Sequence, residues 1–259
     1  MSSSQLPAEM LDHVVDHLHG AQDALKNCCL VSKSWIPRTR KHLFANIALN
    51  VGSLQSWKKK FPDPSTSPAC YTKRLFIHRP RLVIAEAGSL IRNFSRVECL
   101  EVVSQGLLPY RPSPLIPFHG LSPVVKSLRL TFPVLPPPWI FSFILSFPVI
   151  EHLTVIIRGR SDDNGDYSDW LPTATQPLIS PMFTRSLELY LKGGMEPFIS
   201  QLLSVPGGIH FRKLTLTWFR EEDLLTTTSL VEGCSHTLES LRITGEPLGT
   251  CVWHPRPRR

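Results

Sequence analysis

A few residues of this 259-residue chain have types and spacings that could support chemistry. His13 and His17 are four residues apart, so on a helix both imidazoles would share one face, as in the zinc proteases. That motif requires Glu directly after the first histidine, and Val14 stands there instead. The pattern therefore favours two solvent-exposed histidines over a zinc centre.

The acidic run Asp162-Asp163-Asn164-Gly165-Asp166 is the second candidate, because alternating oxygen-bearing side chains are typical of a calcium loop. Gly is missing at the sixth position and Glu at the twelfth, so we expect a loop without an ion. No Gly-rich phosphate loop, nucleophile elbow or zinc spacing of Cys and His occurs. The sequence thus predicts no catalytic residue, no metal site and no cofactor. An enzyme is the least supported class of function.

The composition is that of an ordinary globular protein, with 42% hydrophobic and 19% charged residues. The sequence contains no run of about eighteen apolar residues, the length needed to span a membrane. The N-terminus lacks the pattern of a secretion signal. We interpret the cysteines as reduced, buried thiols of a cytoplasmic or nuclear protein. They are Cys28, Cys29, Cys70, Cys99, Cys234 and Cys251.

The net charge of +7 raises the question of nucleic-acid binding. Basic residues are dense only at 58–60 and at 256–259, and each group is better explained as a solvated surface. We therefore expect neither nucleic acid nor a membrane as a partner. The positive balance would still favour encounter with an acidic protein.

A short motif recurs along the chain: a polar pair, Leu, a polar residue and a second aliphatic residue. Its leucines are Leu75, Leu100, Leu128, Leu153, Leu187, Leu214 and Leu241, with Ile47 as a weaker earlier copy. Such alternation predicts strands with one buried face. Helical patterns lie between them at 82–94, 139–147, 195–203 and 221–231. One strand in every 25 to 34 residues is near the period of a leucine-rich-repeat solenoid, an α/β fold of parallel strands alternating with helices.

The connections are irregular. Residues 106–122 and 132–138 are Pro-rich, which excludes continuous helix, and residues 161–169 form a polar insert that predicts a projecting loop. Only a short basic tail follows the last strand motif. We expect either an exposed sheet edge or a longer natural chain.

The first forty-five residues have the pattern of three short helices. Leu11, Val14, Val15 and Leu18 form one stripe at helical spacing, Pro7 suits a first turn, and Gly20 ends the helix. Asp23 is a candidate cap for the second helix, and Ser32 or Ser34 for the third. About forty residues are too few to be comfortably stable alone. This segment therefore packs on the rest of the chain or offers a face to a partner.

The same segment resembles the F-box, the adaptor-docking module of cullin–RING ubiquitin ligases. The resemblance covers about residues 5–47. It is carried by Leu6-Pro7-x-Glu9, Leu18, Leu25, Leu30-Val31-Ser32-Lys33-x-Trp35 and His42-Leu43-Phe44. Followed by degenerate repeats over 48–251 and a basic tail at 252–259, the chain is similar to fungal-type F-box/leucine-rich-repeat substrate receptors. Ala24 after Asp23, and Pro37 within the third helix, depart from the family pattern.

The resemblance implies that the N-terminal helices bind the Skp adaptor, and through it cullin and RING subunits, while the repeats hold an unidentified protein substrate. The implied adaptor-binding residues are Leu6, Pro7, Leu11, Val14, Val15, Leu18, Leu25 and Leu30. Trp35 and Leu43 would form the core of the module. Substrate contacts are predicted at the exposed strand positions, which a plain solvated sheet surface would also explain. These are Phe76, Glu101, Arg129, Thr154, Glu188, Thr215 and Arg242.

A repeat-protein scaffold without ligase function is the main alternative, with the N-terminal helices acting as a cap on the solenoid. A cap would bury its stripe against the strands near Ile47 and Leu75. A docking module would leave the stripe exposed in the isolated chain. The burial of Val14, Val15 and Leu18 distinguishes the two hypotheses.

Overall fold

In the described part of the chain, parallel strands form one sheet in which each strand is hydrogen-bonded to the strands before and after it in the sequence. The computed structural model describes residues 7–78, 90–104, 124–133, 139–158, 182–191, 195–219 and 224–245. The strands within these ranges are β1 (Asn46–Leu49), β2 (Arg74–His78), β3 (Cys99–Val103), β4 (Ser127–Phe132), β5 (Val149–Ile157), β6 (Met182–Leu191), β7 (His210–Phe219) and β8 (Ser240–Gly245). The helices are α1 (Ala8–His17), α2 (Gln22–Val31), α3 (Ile36–Leu43), α4 (Val51–Lys60), α5 (Trp139–Ile144), α6 (Met195–Leu203) and α7 (Leu224–Gly233).

The register of the sheet follows the leucine motif. Leu75 pairs with Leu100, and the pairing continues from strand to strand through the other motif leucines to Leu241. Ile47 pairs with Leu75, as its alignment with the motif predicted. The prediction of a mixed α/β fold with parallel strands alternating with helices is confirmed. The architecture is compatible with a solenoid-like fold.

The core lies on the leucine side of the sheet. Leu75, Leu128 and Leu214 are fully buried, and burial of each such side chain contributes about 1.5–3 kcal/mol. Aromatic rings fill the space behind the strands, with ring centroids 5.1 Å apart for Phe143 and Phe147 and 5.7 Å for Phe183 and Phe211. The last strand is different. Leu241 and Ile243 on β8 are 44% and 45% exposed.

The three N-terminal helices begin and end close to the predicted positions. Ala21, and not Asp23, is the residue before α2, and Asp23 lies in its first turn. The Ser32 hydroxyl caps a 3₁₀ turn, Lys33–Trp35, by accepting a hydrogen bond from the Ser34 amide at 3.3 Å. That turn leads directly into α3. Pro37 lies in the first turn of α3, where its missing N–H is tolerated.

Helix α4 was not predicted. The Asn50 side chain accepts a hydrogen bond from the Ser53 amide, and the Ser53 hydroxyl accepts one from the Asn50 amide, each at 2.8 Å. This capping box sets the start of α4. The helix buries Leu54 and Trp57 in the core of the sheet. The sequence signal was Asn50 followed by Ser53, just ahead of apolar residues at helical spacing.

The remaining helices agree with the sequence patterns. Helix α6 has the predicted bounds, α5 is three residues shorter than predicted, and α7 is described from Leu224 onward. Of the predicted helix at 82–94, only residues from 90 onward are described. The Pro-rich segment 106–122, most of 132–138, the insert 161–169, the tail 252–259 and Cys251 lie outside the described residues.

The cysteines are less uniformly buried than predicted. Cys28 and Cys234 are buried, whereas Cys29 and Cys99 are partly exposed and Cys70 is exposed. All five described cysteines are free thiols. Burial raises the pKa of the Cys234 thiol above its ordinary value, so this thiol stays protonated and behaves as a small apolar group.

Candidate functional site

Helices α1 and α2 present apolar side chains to solvent. Met10 is 54% exposed and Val14 48%, and the two lie one turn apart on α1. Leu30 is 86% exposed and Val31 67%, at the end of α2. We call these four residues the helical apolar surface. Exposed apolar side chains on two helices that both pack on α3 are typical of a protein-binding surface.

A small core under this surface belongs to the helices themselves. Val15, Leu25, Cys28 and Thr39 are buried, and none of them belongs to the apolar cluster behind the sheet. Helices α1 and α2 both pack on α3. The Thr39 hydroxyl donates a hydrogen bond to the Trp35 carbonyl at 2.8 Å, so a buried polar group on α3 is satisfied locally. The three helices are therefore a unit with its own interior.

Asp16 links α1 to α3. Its carboxylate accepts hydrogen bonds from the Arg38 guanidinium, at 2.6 Å from Nε to Oδ1, and from His42 Nε2 at 2.7 Å. A second guanidinium nitrogen, Nη2, contacts Oδ2. The hydrogen bonds from Arg38 and then from His42 hold the pKa of Asp16 far below its ordinary value. This contact fixes α1 on α3, and so fixes the direction in which Met10 and Val14 point.

The residues predicted for adaptor binding differ in their accessibility. Pro7, Val14 and Leu30 are exposed, Leu11 and Leu18 are partly buried, and Val15 and Leu25 are buried. Leu6 lies outside the described residues. Trp35 and Leu43, predicted as core, are only partly buried. Sequence reasoning missed Met10 and Val31. Their signals were the helical spacing from Met10 to Val14 and the position of Val31 directly after Leu30.

Packing of aromatic side chains connects the end of α3 to α4 and the sheet. The Phe44 ring lies 5.9 Å from Trp57 and 6.3 Å from Phe61 between centroids, both edge to face. Trp57 Nε1 donates a hydrogen bond to the Ser67 hydroxyl at 3.2 Å. Helix α4, through Leu54 and Trp57, thus covers the first strands of the sheet.

The predicted substrate-contact positions form one continuous row across the sheet. Phe76 pairs with Glu101, Glu101 with Arg129, and the register continues through Thr154, Glu188 and Thr215 to Arg242. Arg129 and Arg242 are exposed, whereas Thr215 is buried at 9% exposure. Arg129 Nε lies 3.7 Å from Glu101 Oε1, so part of this row is already paired within the sheet.

A second row lies at the start of the strands, and we call it the edge row. Its members have charges that alternate in sign from Lys73 to Glu151. They are Lys73, Glu98, Lys126, Glu151, Arg185, Arg212 and Glu239. The backbone explains the spacing, because the carbonyl of Lys73 accepts hydrogen bonds from the amides of both Glu98 and Cys99, and the Glu98 and Lys126 carbonyls repeat this arrangement one strand further on.

Glu151 is the most enclosed carboxylate of the edge row. It pairs with Lys126 at 3.2 Å and with Arg185 at 3.0 Å. The hydrogen bond from Lys126, together with the charge of Arg185, lowers the pKa of Glu151. It is therefore ionised near neutral pH and neutralises one of two adjacent cations.

A groove of about 840 Å³ crosses the strands from β5 to β8, beside the edge row. The edge-row residues Arg185, Arg212 and Glu239 line it, and so do His152, Ser186 and Lys213. His152 Nδ1 and the Ser186 hydroxyl are 2.8 Å apart. Sequence reasoning did not identify this groove, whose lining includes Arg185 and Ser186, between which the register of β6 and β7 shifts.

Within the described ranges, no three His, Cys, Asp or Glu side chains are arranged to hold a metal ion. His13 and His17 are both exposed on α1. None of the described helices is long and apolar enough to cross a bilayer. Comparison with known proteins adds no relative: no family model, no curated protein and no solved structure matches this chain.

Proposed function

We propose that this chain is a substrate-receptor subunit of a Skp–cullin–F-box E3 ubiquitin ligase. Helices α1–α3 bind the Skp adaptor, and the sheet holds a target protein. One observation carries the proposal: α2 buries Leu25 completely inside the helical unit, while Leu30, five residues later, is 86% exposed. The sequence resemblance to the F-box assigns both residues to that module. An exposed apolar end on a small helical unit supports docking of a second protein.

Burial of the helical apolar surface would contribute enough free energy to support a stable contact. Complete burial of an apolar side chain contributes about 1.5–3 kcal/mol, and the helical apolar surface provides four such side chains that are 48% to 86% exposed. These side chains would form the centre of an interface. Polar residues around them would supply orientation and little affinity.

The position of α4 weakens the alternative of a scaffold in which α1 and α2 cap the sheet. A cap would place Val15 or Leu25 among the core residues near Ile47 and Leu75. Instead, Leu54 and Trp57 of α4 belong to the apolar cluster that contains Leu75, and Phe44 and Ile47 pack against that cluster. Of the residues that distinguish the two hypotheses, Val14 is exposed, Leu18 is partly buried and Val15 is buried, but Val15 lies outside the apolar cluster behind the sheet, which favours docking over capping.

The chain would contribute proximity to the ligase reaction. A target held on the sheet has its lysines at a high effective concentration near the ubiquitin-conjugating subunit, and this accelerates transfer without a catalytic side chain on the receptor.

Titration calorimetry of the full chain against a purified Skp-type adaptor tests the proposal. We expect the natural chain to bind, and the double substitution Val14→Asp with Leu30→Asp to abolish binding while the circular dichroism spectrum stays unchanged. Gln55→Asp, at an exposed position on α4, is the matched control and should bind normally. If the natural chain does not bind any Skp-type adaptor, the proposal is wrong.

A further inference from the structure

We propose that the groove across β5–β8 binds an acidic peptide segment, whose carboxylate or phosphate group is held by Arg185, Arg212 and Lys213. This inference rests on the proposed function, in which the sheet holds a target protein, and it specifies the chemistry of that target. The site lies beside the row of exposed strand positions that the sequence predicts for substrate contact.

The first argument is a break in the charge order of the edge row. From Lys73 to Glu151 each cation is followed by a carboxylate, and the ion pairs are 3.9 Å for Lys73 with Glu98 and 3.2 Å for Lys126 with Glu151. Arg185 and Arg212 then follow one another on adjacent strands, and among the described residues each is paired at its outer side, Arg185 with Glu151 and Arg212 with Glu239. Two neighbouring guanidinium groups without a carboxylate between them favour an external anion.

The second argument is local backbone strain at the same position. Arg185 has φ of +59°, the left-handed conformation, and within the described ranges it is the one residue other than glycine with positive φ. The register between β6 and β7 shifts there, because Arg185 faces Phe211 while Ser186 faces Lys213. Arg212 is the extra residue of this bulge. Bulges and left-handed non-glycine residues are concentrated at functional sites, where they redirect side chains.

The third argument is a cation that has no partner in the sheet. Lys213 lies between Ser186 and Ser240 in the register, and it makes no ion pair with any described residue. By contrast, Lys73 and Lys126 each face a carboxylate. Lys213 lines the groove together with Arg185 and Arg212, and the three cations supply donors that an oxyanion requires.

Two carboxylates in the groove decide between a peptide and a nucleic acid. Glu188 and Glu239 also line it, and they would repel the regularly spaced phosphates of an extended polyanion. A peptide avoids this repulsion, because it can carry one or two acidic groups at the cationic end and neutral residues elsewhere. The net charge of +7 would assist the encounter of the chain with such a segment.

Fluorescence anisotropy with a labelled peptide tests the proposal. The probe is Gly-Ala-Gly-X-Ala-X-Gly-Ala-Gly, in which X is glutamate, phosphoserine or glutamine. We expect a charged peptide to bind at least about tenfold more tightly than the glutamine peptide, because each charge-assisted hydrogen bond is worth more than a neutral one. Preference for either charged peptide supports the proposal, and the tighter of the two identifies the source of the oxyanion.

Variants of the full chain localise the binding. Lys213→Gln and Arg185→Gly should each weaken the charged peptide about tenfold, and glycine adopts positive φ readily, so the bulge is retained. Glu239→Gln should tighten binding, because it removes a competing carboxylate from Arg212. Lys73→Gln is the matched control, since Lys73 is equally exposed on the edge row and lies outside the groove.

Four results would overturn the proposal: no binding of either charged peptide, equal binding of the glutamine peptide, an equal loss in Lys73→Gln, or stronger competition by single-stranded RNA than by acidic peptide. Adaptor binding is measured on the same preparations. Peptide binding that fails while adaptor binding persists rejects the groove and leaves the ligase proposal unaffected. The reverse outcome rejects the ligase proposal alone.

Discussion

Replacement of two leucines on one helix by alanine separates docking from folding. Leu30 is 86% exposed in the free chain, so Leu30→Ala removes almost no buried area and substitutes a better helix former. We expect the free energy of unfolding to change by less than about 0.5 kcal/mol. If the adaptor buries this side chain, truncation removes about 1.5–3 kcal/mol of binding free energy, a loss of roughly 10- to 150-fold in Kd.

Leu25 gives the opposite expectation. It is completely buried on α2, which packs on α3, and Leu25→Ala should lower the free energy of unfolding by about 2–5 kcal/mol through lost contacts and a residual cavity. A single core of about forty residues rarely supplies more than about 3–5 kcal/mol. This variant should therefore unfold the three helices and lose adaptor binding for that reason.

Two measurements on each variant distinguish the cases. Titration calorimetry gives the affinity for the adaptor, and amide hydrogen exchange of peptides covering α1–α3 reports whether the helices are folded. The reasoning is refuted if Leu30→Ala binds like the natural chain, or if it accelerates exchange in α2 as much as Leu25→Ala does.

Three further predictions concern the Asp16 contact between α1 and α3, the sheet, and the bulge at Arg185. Because the folded-state pKa of Asp16 is depressed, its stabilisation of α1 on α3 is present above the ordinary aspartate pKa of about 4 and is lost as the pH falls below it. Amide hydrogen exchange in α1 should therefore increase in acid. The Asp16→Asn variant should already show increased exchange in α1 at neutral pH. Phe211→Ala should lower the urea unfolding free energy by about 3–5 kcal/mol, whereas Leu241→Ala on the exposed strand β8 should lower it by about 1 kcal/mol or less. Arg185→Gly should leave the melting temperature nearly unchanged. The substitution relieves about 1–2 kcal/mol of left-handed strain. This gain is offset by the backbone entropy of glycine, about 0.5–1 kcal/mol, and by the loss of the ion pair with Glu151.

The repeating strands were predictable because their signal is local and recurs. Alternation around Leu75 or Leu214 requires only that one face of a strand be buried, and seven copies in the sequence fix the strand order and the register together. The alignment of Ile47 with Leu75 shows how far this reasoning extends, since even the weakest copy pairs as predicted.

The features that sequence reasoning missed depend on contacts between distant residues. Nothing near Asp16 indicates that Arg38 and His42 will meet its carboxylate, because the angle between α1 and α3 decides this. The left-handed backbone of Arg185 is equally hidden, since arginine has no preference for positive φ. Exposure is the third such property: Val14 and Val15 are adjacent and chemically identical, and only the packing of α1 on α3 makes one exposed and the other buried.

The nearest-neighbour pairing of the strands has a consequence for the order in which the molecule unfolds. Among the described strands, β8 pairs with β7 alone and leaves Leu241 and Ile243 44% and 45% exposed, so it has little buried apolar area to lose and we expect it to fray before β7. Helices α1–α3, which precede β1 at the opposite end of the sheet, should be affected last. A molecule in which β8 has unfolded would therefore keep its N-terminal helices folded.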